Sequence, residues 1–234
     1  MAVPAAVEID RPLRLGELLA AAIRIFTGRA WAFVALGLLQ AAALAGAAVT
    51  PIPIGIAILA AAFAAAFATA VRIIVGDAFG EALRRTAVAT PVLVPLAFVV
   101  AVPFYLGSAW LLLLVVSVGW LGLTAFAIPV AMVETPVDTS WFGRVSHALQ
   151  RTLTLARIEY LHAVGVAAAL VVIYIVVGVI LAVALASFAD NGRVAAQALA
   201  QIVLAPFFFI GLSILYFEQK ARALESVGRP GKRG

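Results

Sequence analysis

From Pro91 to Glu134 the chain runs for 44 residues with no charged side chain before the last. A helix rises about 1.5 Å per residue, so crossing a hydrocarbon core of about 30 Å takes roughly 20 apolar residues. This run is therefore two spans long. Similar runs flank it: Trp31 to Thr50, about Ile54 to Val75, Tyr160 to Ala186 and about Val194 to Tyr216. Pro51 and Pro53 separate the first pair. The long run folds at Leu106-Gly107-Ser108 into helices of about 91–107 and 109–133. The expected fold class is all-α, a polytopic membrane helical bundle of about six transmembrane helices. It comprises an amphipathic segment 1–30, a transmembrane region 31–217 and a basic tail 218–234.

Composition closes the soluble alternatives. Of 234 residues 65% are hydrophobic and 12% charged, far from the roughly half apolar and quarter charged of globular domains. Without Cys there is no disulfide, thiol nucleophile or thiolate metal site, and His147 and His162 are too far apart to form a zinc-binding pair on one helix. No cofactor, metal site or catalytic residue is expected. The formal charge of +5 points to anionic lipid headgroups rather than nucleic acid, because the basic residues lie beside apolar spans. Charges scattered through residues 8–29 argue against a cleaved signal peptide.

Basic residues in short loops set orientation. With the N-terminus inside, 15 of the 16 Lys and Arg residues fall on the cytoplasmic side, leaving only Arg193 outside. Both termini are expected in the cytoplasm of a bacterium, the chain lying in the inner membrane. Trp31, Tyr160 and Tyr216 would then mark the cytoplasmic boundary, and Tyr105 and Trp110 the outer one.

Three segments read as cytoplasmic amphipathic helices lying on the membrane. In 12–28, Leu15, Leu18, Leu19, Ala22 and Phe26 share one face, and Pro12 suits a first turn. In 139–157, Phe142, Val145, Leu149, Leu153 and Ala156 oppose Arg144, His147, Arg151 and Thr154, with Thr139 or Ser140 as cap. A shorter one runs from Phe79 to Arg85. Gly16, Gly80 and Gly143 fall 64 and 63 residues apart, the pattern of a candidate threefold parallel repeat.

Several short motifs accompany these landmarks. They are Leu15-Gly16-Glu17-Leu18-Leu19, Val133-Glu134, Ala148-Leu149-Gln150-Arg151-Thr152 and Tyr216-Phe217-Glu218-Gln219-Lys220-Ala221-Arg222. In these the chain resembles the bacterial membrane-domain family named after the membrane region of glycerophosphoryl diester phosphodiesterases. The resemblance covers nearly the whole chain. It implies a six-span membrane domain without established activity. The phosphodiesterase chemistry of the fused members belongs to a separate soluble barrel, for which the spans leave no residues here.

Charges near the lipid deserve weighing. Arg72, close to the cytoplasmic end of the second helix, is long enough to snorkel. Glu134 ends the fourth helix, where exposed carbonyls disfavour a lone carboxylate. Its expected partner is Arg151, with Arg85 as second candidate, and Glu218 invites the same argument. These four form the candidate site, a cytoplasmic charge cluster. Gln40, Ser117, Thr124, Gln197 and Gln201 suit interhelical hydrogen bonds. The small residues of Ala60 to Ala68 place the second helix mid-bundle. Pro95, Pro103, Pro129 and Pro206 are candidate kinks.

The expected function is non-enzymatic: a scaffold or accessory subunit binding a protein partner or membrane lipids through its basic face. A small-solute or lipid transporter, acting as a homo-oligomer, is the alternative, and a hydrophilic cavity at Gln40, Gln197 or Gln201 would favour it. An intramembrane enzyme using His147, His162 and Glu134 is a third reading.

Overall fold

The computed structural model describes residues 13, 15–107, 111–134, 140–186 and 192–228. Among them every regular element is a helix: α1 Leu15–Gly28, α2 Ala30–Ala48, α3 Ile52–Val75, α4 Phe79–Gly107, α5 Leu111–Thr124, α6 Ala127–Val133, α7 Trp141–Ala156, α8 Tyr160–Ala186 and α9 Gly192–Gly228. Six stretches are long and apolar enough to cross a membrane: within α2, α3, α4, α5–α6, α8 and α9. The protein is an all-α polytopic membrane bundle. Its spans form a ring in chain order, each packing on the next, with α9 closing onto α2 and also touching α3.

Prolines and glycines set much of the local geometry. Pro51 and Pro53 start α3, where a first turn needs no N–H donor. α3 ends at Gly76, whose φ of 119° is the left-handed cap; Gly76 and Asp77 donate to Ile73 and Arg72 carbonyls. Pro129 removes the donor that the Ala125 carbonyl would receive, and the fourth span breaks at Ala125–Phe126 into α5 and α6. Pro103 likewise frees the Val99 carbonyl, and the Trp120 indole N–H donates to it at 2.7 Å. Ser117 donates to the Pro103 carbonyl at 2.7 Å, so α5 is tied twice to α4.

The Ala-rich helix α3 is central, as its small residues imply: Ala60, Ala64, Ala66, Ala68 and Ala70 are buried. Its neighbours approach closely, and Phe67 stacks on Phe209 of α9 at 5.5 Å between centroids. By contrast α8 is peripheral, with Val172, Val176, Val179, Ile180 and Val183 exposed as lipid-facing residues would be.

The amphipathic segments depart from expectation. Phe79 to Arg85 is no separate helix; it is the first part of α4, which runs through Pro91 and Pro95. α1 is distinct from α2, the chain bending at Arg29 (φ −140°, ψ 40°). It does not lie flat across the bundle end. The Leu13 N–H just before α1 reaches Glu218, and Phe26 near its close packs on Phe207, so α1 runs alongside α9 in the opposite direction for about 16 Å. Leu18 and Ala22 are its buried residues, while Leu15 is exposed. α7 contacts α4, α5, α6 and α9, and so passes across the end of the bundle. Its cap is Ser140, which accepts from the Gly143 N–H at 3.2 Å. The buried stripe of α7 is Val145, Ala148, Thr152, Leu155 and Ala156. That is one step round from the stripe expected, and Phe142 and Leu153 lie exposed beside it. With three dispositions for three segments, the glycine spacing does not mark three equivalent units. Nor does the last span stop at Tyr216: α9 continues through Glu218 and Lys220, so the basic tail begins as helix.

Candidate functional site

The helix ends gather charge at one end of the bundle, where α2, α4 and α8 begin and α3, α6 and α9 finish. Glu134 closes α6, its N–H donating to the Val130 carbonyl. α7 then places Arg151 beside it, Nε to Oε2 at 2.9 Å. The pair anticipated from the sequence is present. α9 supplies two partners that were not anticipated: the Tyr216 hydroxyl donates to Oε1 at 2.6 Å, and Lys220 Nζ lies 3.3 Å from the same oxygen. Lys220 also sits 5.9 Å from the Tyr216 ring centre. The signal for both was the spacing of four on α9, which puts Tyr216 and Lys220 on one face. Tyr216 is therefore buried rather than an interfacial anchor. Trp31 and Tyr160 remain exposed, and Tyr105 and Trp110 fall outside the described side chains.

Arg85 does not meet Glu134. It pairs with Glu81 at 2.7 Å and Asp77 at 3.6 Å, because α4 begins earlier than expected and turns this residue toward the α3–α4 corner. Glu81 is also held by Arg84 at 2.9 Å. Arg72 does not snorkel: its Nε holds Asp77 at 2.7 Å, and it donates to the Met132 carbonyl. Arg29 completes the corner by donating to the Ile73 and Asp77 carbonyls at 2.8 and 2.9 Å. A guanidinium there complements the negative end of α3.

Glu218 is wholly buried. Its Oε1 accepts from Arg222 at 2.5 Å and from the Leu13 N–H at 3.1 Å, and His162 Nε2 approaches within 3.3 Å. Arg222 also pairs with Glu159, just before α8. His162 thus serves Glu218, while His147 is exposed on α7. No group of three His, Asp or Glu residues converges among the described residues. The arrangement binds helix ends together through charge-assisted bonds.

Burial works to raise the Glu134 carboxyl, but the hydrogen bonds from Tyr216 and Arg151 and the charges of Lys220 and Arg151 outweigh it and hold its pKa below 4.5. A carboxylate whose folded value lies below its unfolded value stabilises fully above the unfolded value. That contribution is lost as pH falls through the folded value. Glu134→Gln should therefore flatten the loss of thermal stability seen on acidifying below pH 4.5. At neutral pH, with Glu134 14% and Arg151 31% exposed, Glu134→Gln and Arg151→Gln should each cost about 1–3 kcal/mol, between exposed and buried pairs. The double variant should cost less than their sum. Strict additivity in unfolding measurements would show that the two side chains do not interact.

Farther into the bundle a cavity of about 220 Å³ is lined by residues of all six spans, among them Gln40, Tyr174 and Gln201. Gln197 is exposed and Thr124 bonds back to its own helix, so of the polar span residues Ser117 makes the interhelical bond expected. Comparison with known protein families, curated proteins and solved structures returns no match.

Proposed function

We propose that the protein is a non-enzymatic bacterial inner-membrane protein, a scaffold or accessory subunit whose basic, cytoplasmic end engages a protein partner or anionic lipids. The observation that carries this reading is the use made of the carboxylates. Glu134, Asp77, Glu81 and Glu218 each face two basic side chains. They brace helix ends and none stands apart as an acid or base, while Arg24 and Arg157 remain exposed for an anionic surface. The motifs resembling the membrane-domain family of glycerophosphoryl diester phosphodiesterases support the same class, since many members of that family are membrane domains alone, without the catalytic barrel. Partner capture from native membranes tests it: Arg24→Glu with Arg157→Glu should release what the unaltered protein retains. Retention by the double variant, or capture of nothing but bulk lipid by both, would remove the scaffold reading.

Orientation is tested separately, and the absence of Cys gives a clean background. Thr86 is unsuitable for labelling because it is buried and accepts from Thr69 at 3.0 Å. Thr27, Gly80 and Gln150 are exposed. Single cysteines there should resist an impermeant thiol reagent in intact cells, whereas Asn191→Cys should label. Labelling of Gln150→Cys in intact cells would reverse the assignment of sides.

One observation favours the alternative, a transporter of small solutes or lipids working as an oligomer. The cavity includes two of the three glutamines that would line a path, though its wall is largely apolar.

A further inference from the structure

The cavity lies at the meeting of all six spans rather than on the lipid-facing surface, and apolar groups including Phe63, Phe208 and Phe209 dominate its wall. Phe63 and Phe209 meet edge to face at 5.3 Å, and Tyr174 meets Phe208 at 6.4 Å, so the wall is made of mutually packed rings. One wall residue is anomalous. Gln40 is 4% exposed, and its Nε2 has no hydrogen-bond partner. A buried amide without a partner is costly, and in lipid no water is at hand to satisfy it. Tyr174 and Gln201 are the other polar side chains named on the wall, and Gln40 is the one whose buried amide nitrogen lacks a partner. An amide side chain exchanges the places of its oxygen and nitrogen by a half-turn, so Gln40 is able to present its donor to the cavity.

We propose that this cavity is a binding site for a small uncharged molecule, mostly apolar, with one carbonyl or ether oxygen that accepts a hydrogen bond from the Gln40 amide. The volume sets the size. An apolar cavity of about 150 Å³ accommodates benzene, so 220 Å³ takes on the order of ten non-hydrogen atoms. A charged or polyhydroxylated solute is excluded, because the wall offers too few partners to replace its water. Two sources supply the required chemistry: a free small amphiphile, or an ester-bearing segment of a membrane lipid. The proposal depends on neither the scaffold nor the transport reading, since occupancy is measured without a partner and without flux.

The full-length protein in lipid nanodiscs is labelled with octanol carrying a photoreactive diazirine, with 2-octanone and octane as competitors. The expected result is saturable labelling of cavity residues on α2, α8 and α9. Protection by 2-octanone should need about tenfold less competitor than protection by octane, the hydrogen bond accounting for the difference. Gln40→Leu should abolish that preference and leave octane protection unchanged. Ala205→Leu, which fills part of the cavity, should remove saturable labelling altogether, with helical content and elution volume confirming that both variants fold. Repeating the labelling in lipid-free amphipol identifies the source: a rise of tenfold or more identifies a lipid segment as the resident occupant, and no change identifies a free molecule. Labelling confined to lipid-facing positions such as Ile180, or a ketone preference that survives Gln40→Leu, would overturn the proposal.

Discussion

Gly37→Ala should lower the apparent melting temperature of the purified protein by about 10 °C, an unusual effect for a single methyl group. A Cβ on Gly37 would lie 2.2 Å from the Ile202 carbonyl oxygen and 2.5 Å from its Cα. Both obstructing atoms are backbone, so no side chain is able to swing aside, and α2 and α9 would have to separate. Ile202 is four residues before Pro206, whose ring leaves this carbonyl without its helical donor. The bare Cα of Gly37 comes up against it instead, the kind of weak C–H···O contact that recurs where helices touch. Overpacking costs about 1–3 kcal/mol and more when backbone is involved, and each kcal/mol moves the midpoint of a chain this size by about 2–4 °C. Gly165 is the control, a mid-helix glycine with open space around its absent Cβ. Gly165→Ala should be neutral or slightly stabilising, since Ala is the better helix former. If the two substitutions behave alike in thermal unfolding, the close approach of α2 and α9 is not a determinant of the fold.

The span count was legible because it rests on summed hydropathy over about 20 residues, a quantity that tertiary context hardly changes. The start of α8 was legible to the residue, at Tyr160. Helix starts set by proline were less so: Pro91 reads as a beginning, yet α4 continues through it from Phe79. Glu134–Arg151 could be anticipated because the two are close in sequence and chemically complementary. Tyr216 and Lys220 were missed as its other partners because they are more than eighty residues away, and only packing brings α9 to α6. Gly37 could not be picked out at all among 18 glycines, since its partner carbonyl belongs to the last helix. α7 shows a subtler limit. Its period was readable, but with apolar groups on the bundle side and exposed beside it, the sequence alone does not say which of the two stripes packs.

Glu218→Leu should cost about 3–5 kcal/mol and loosen α1 first. Glu218 is fully buried at the crossing of three chain segments: the residues entering α1, the first turn of α8 and α9 itself. Removing the carboxylate takes from Arg222, whose side chain is 12% exposed, its fully buried carboxylate partner, while its partner Glu159 is 49% exposed. Breaking a buried pair from one side is damaging because the remaining charge has already given up its water. The Leu13 N–H loses its acceptor at the same time, so the start of α1 is untied from α9. Hydrogen exchange should therefore accelerate across Leu15–Gly28 before it does elsewhere. Glu218→Gln, which keeps an acceptor for Leu13, should be milder. Glu218→Leu with Arg222→Leu should recover much of the loss, because the buried charge that Glu218 held is then removed along with it. Those two comparisons separate charge from packing: if Glu218→Gln is as harmful as Glu218→Leu and the double variant is worse than either, the damage comes from lost shape. Unchanged exchange in α1 for all three variants would mean that the helix is held by the Leu18 and Ala22 contacts alone.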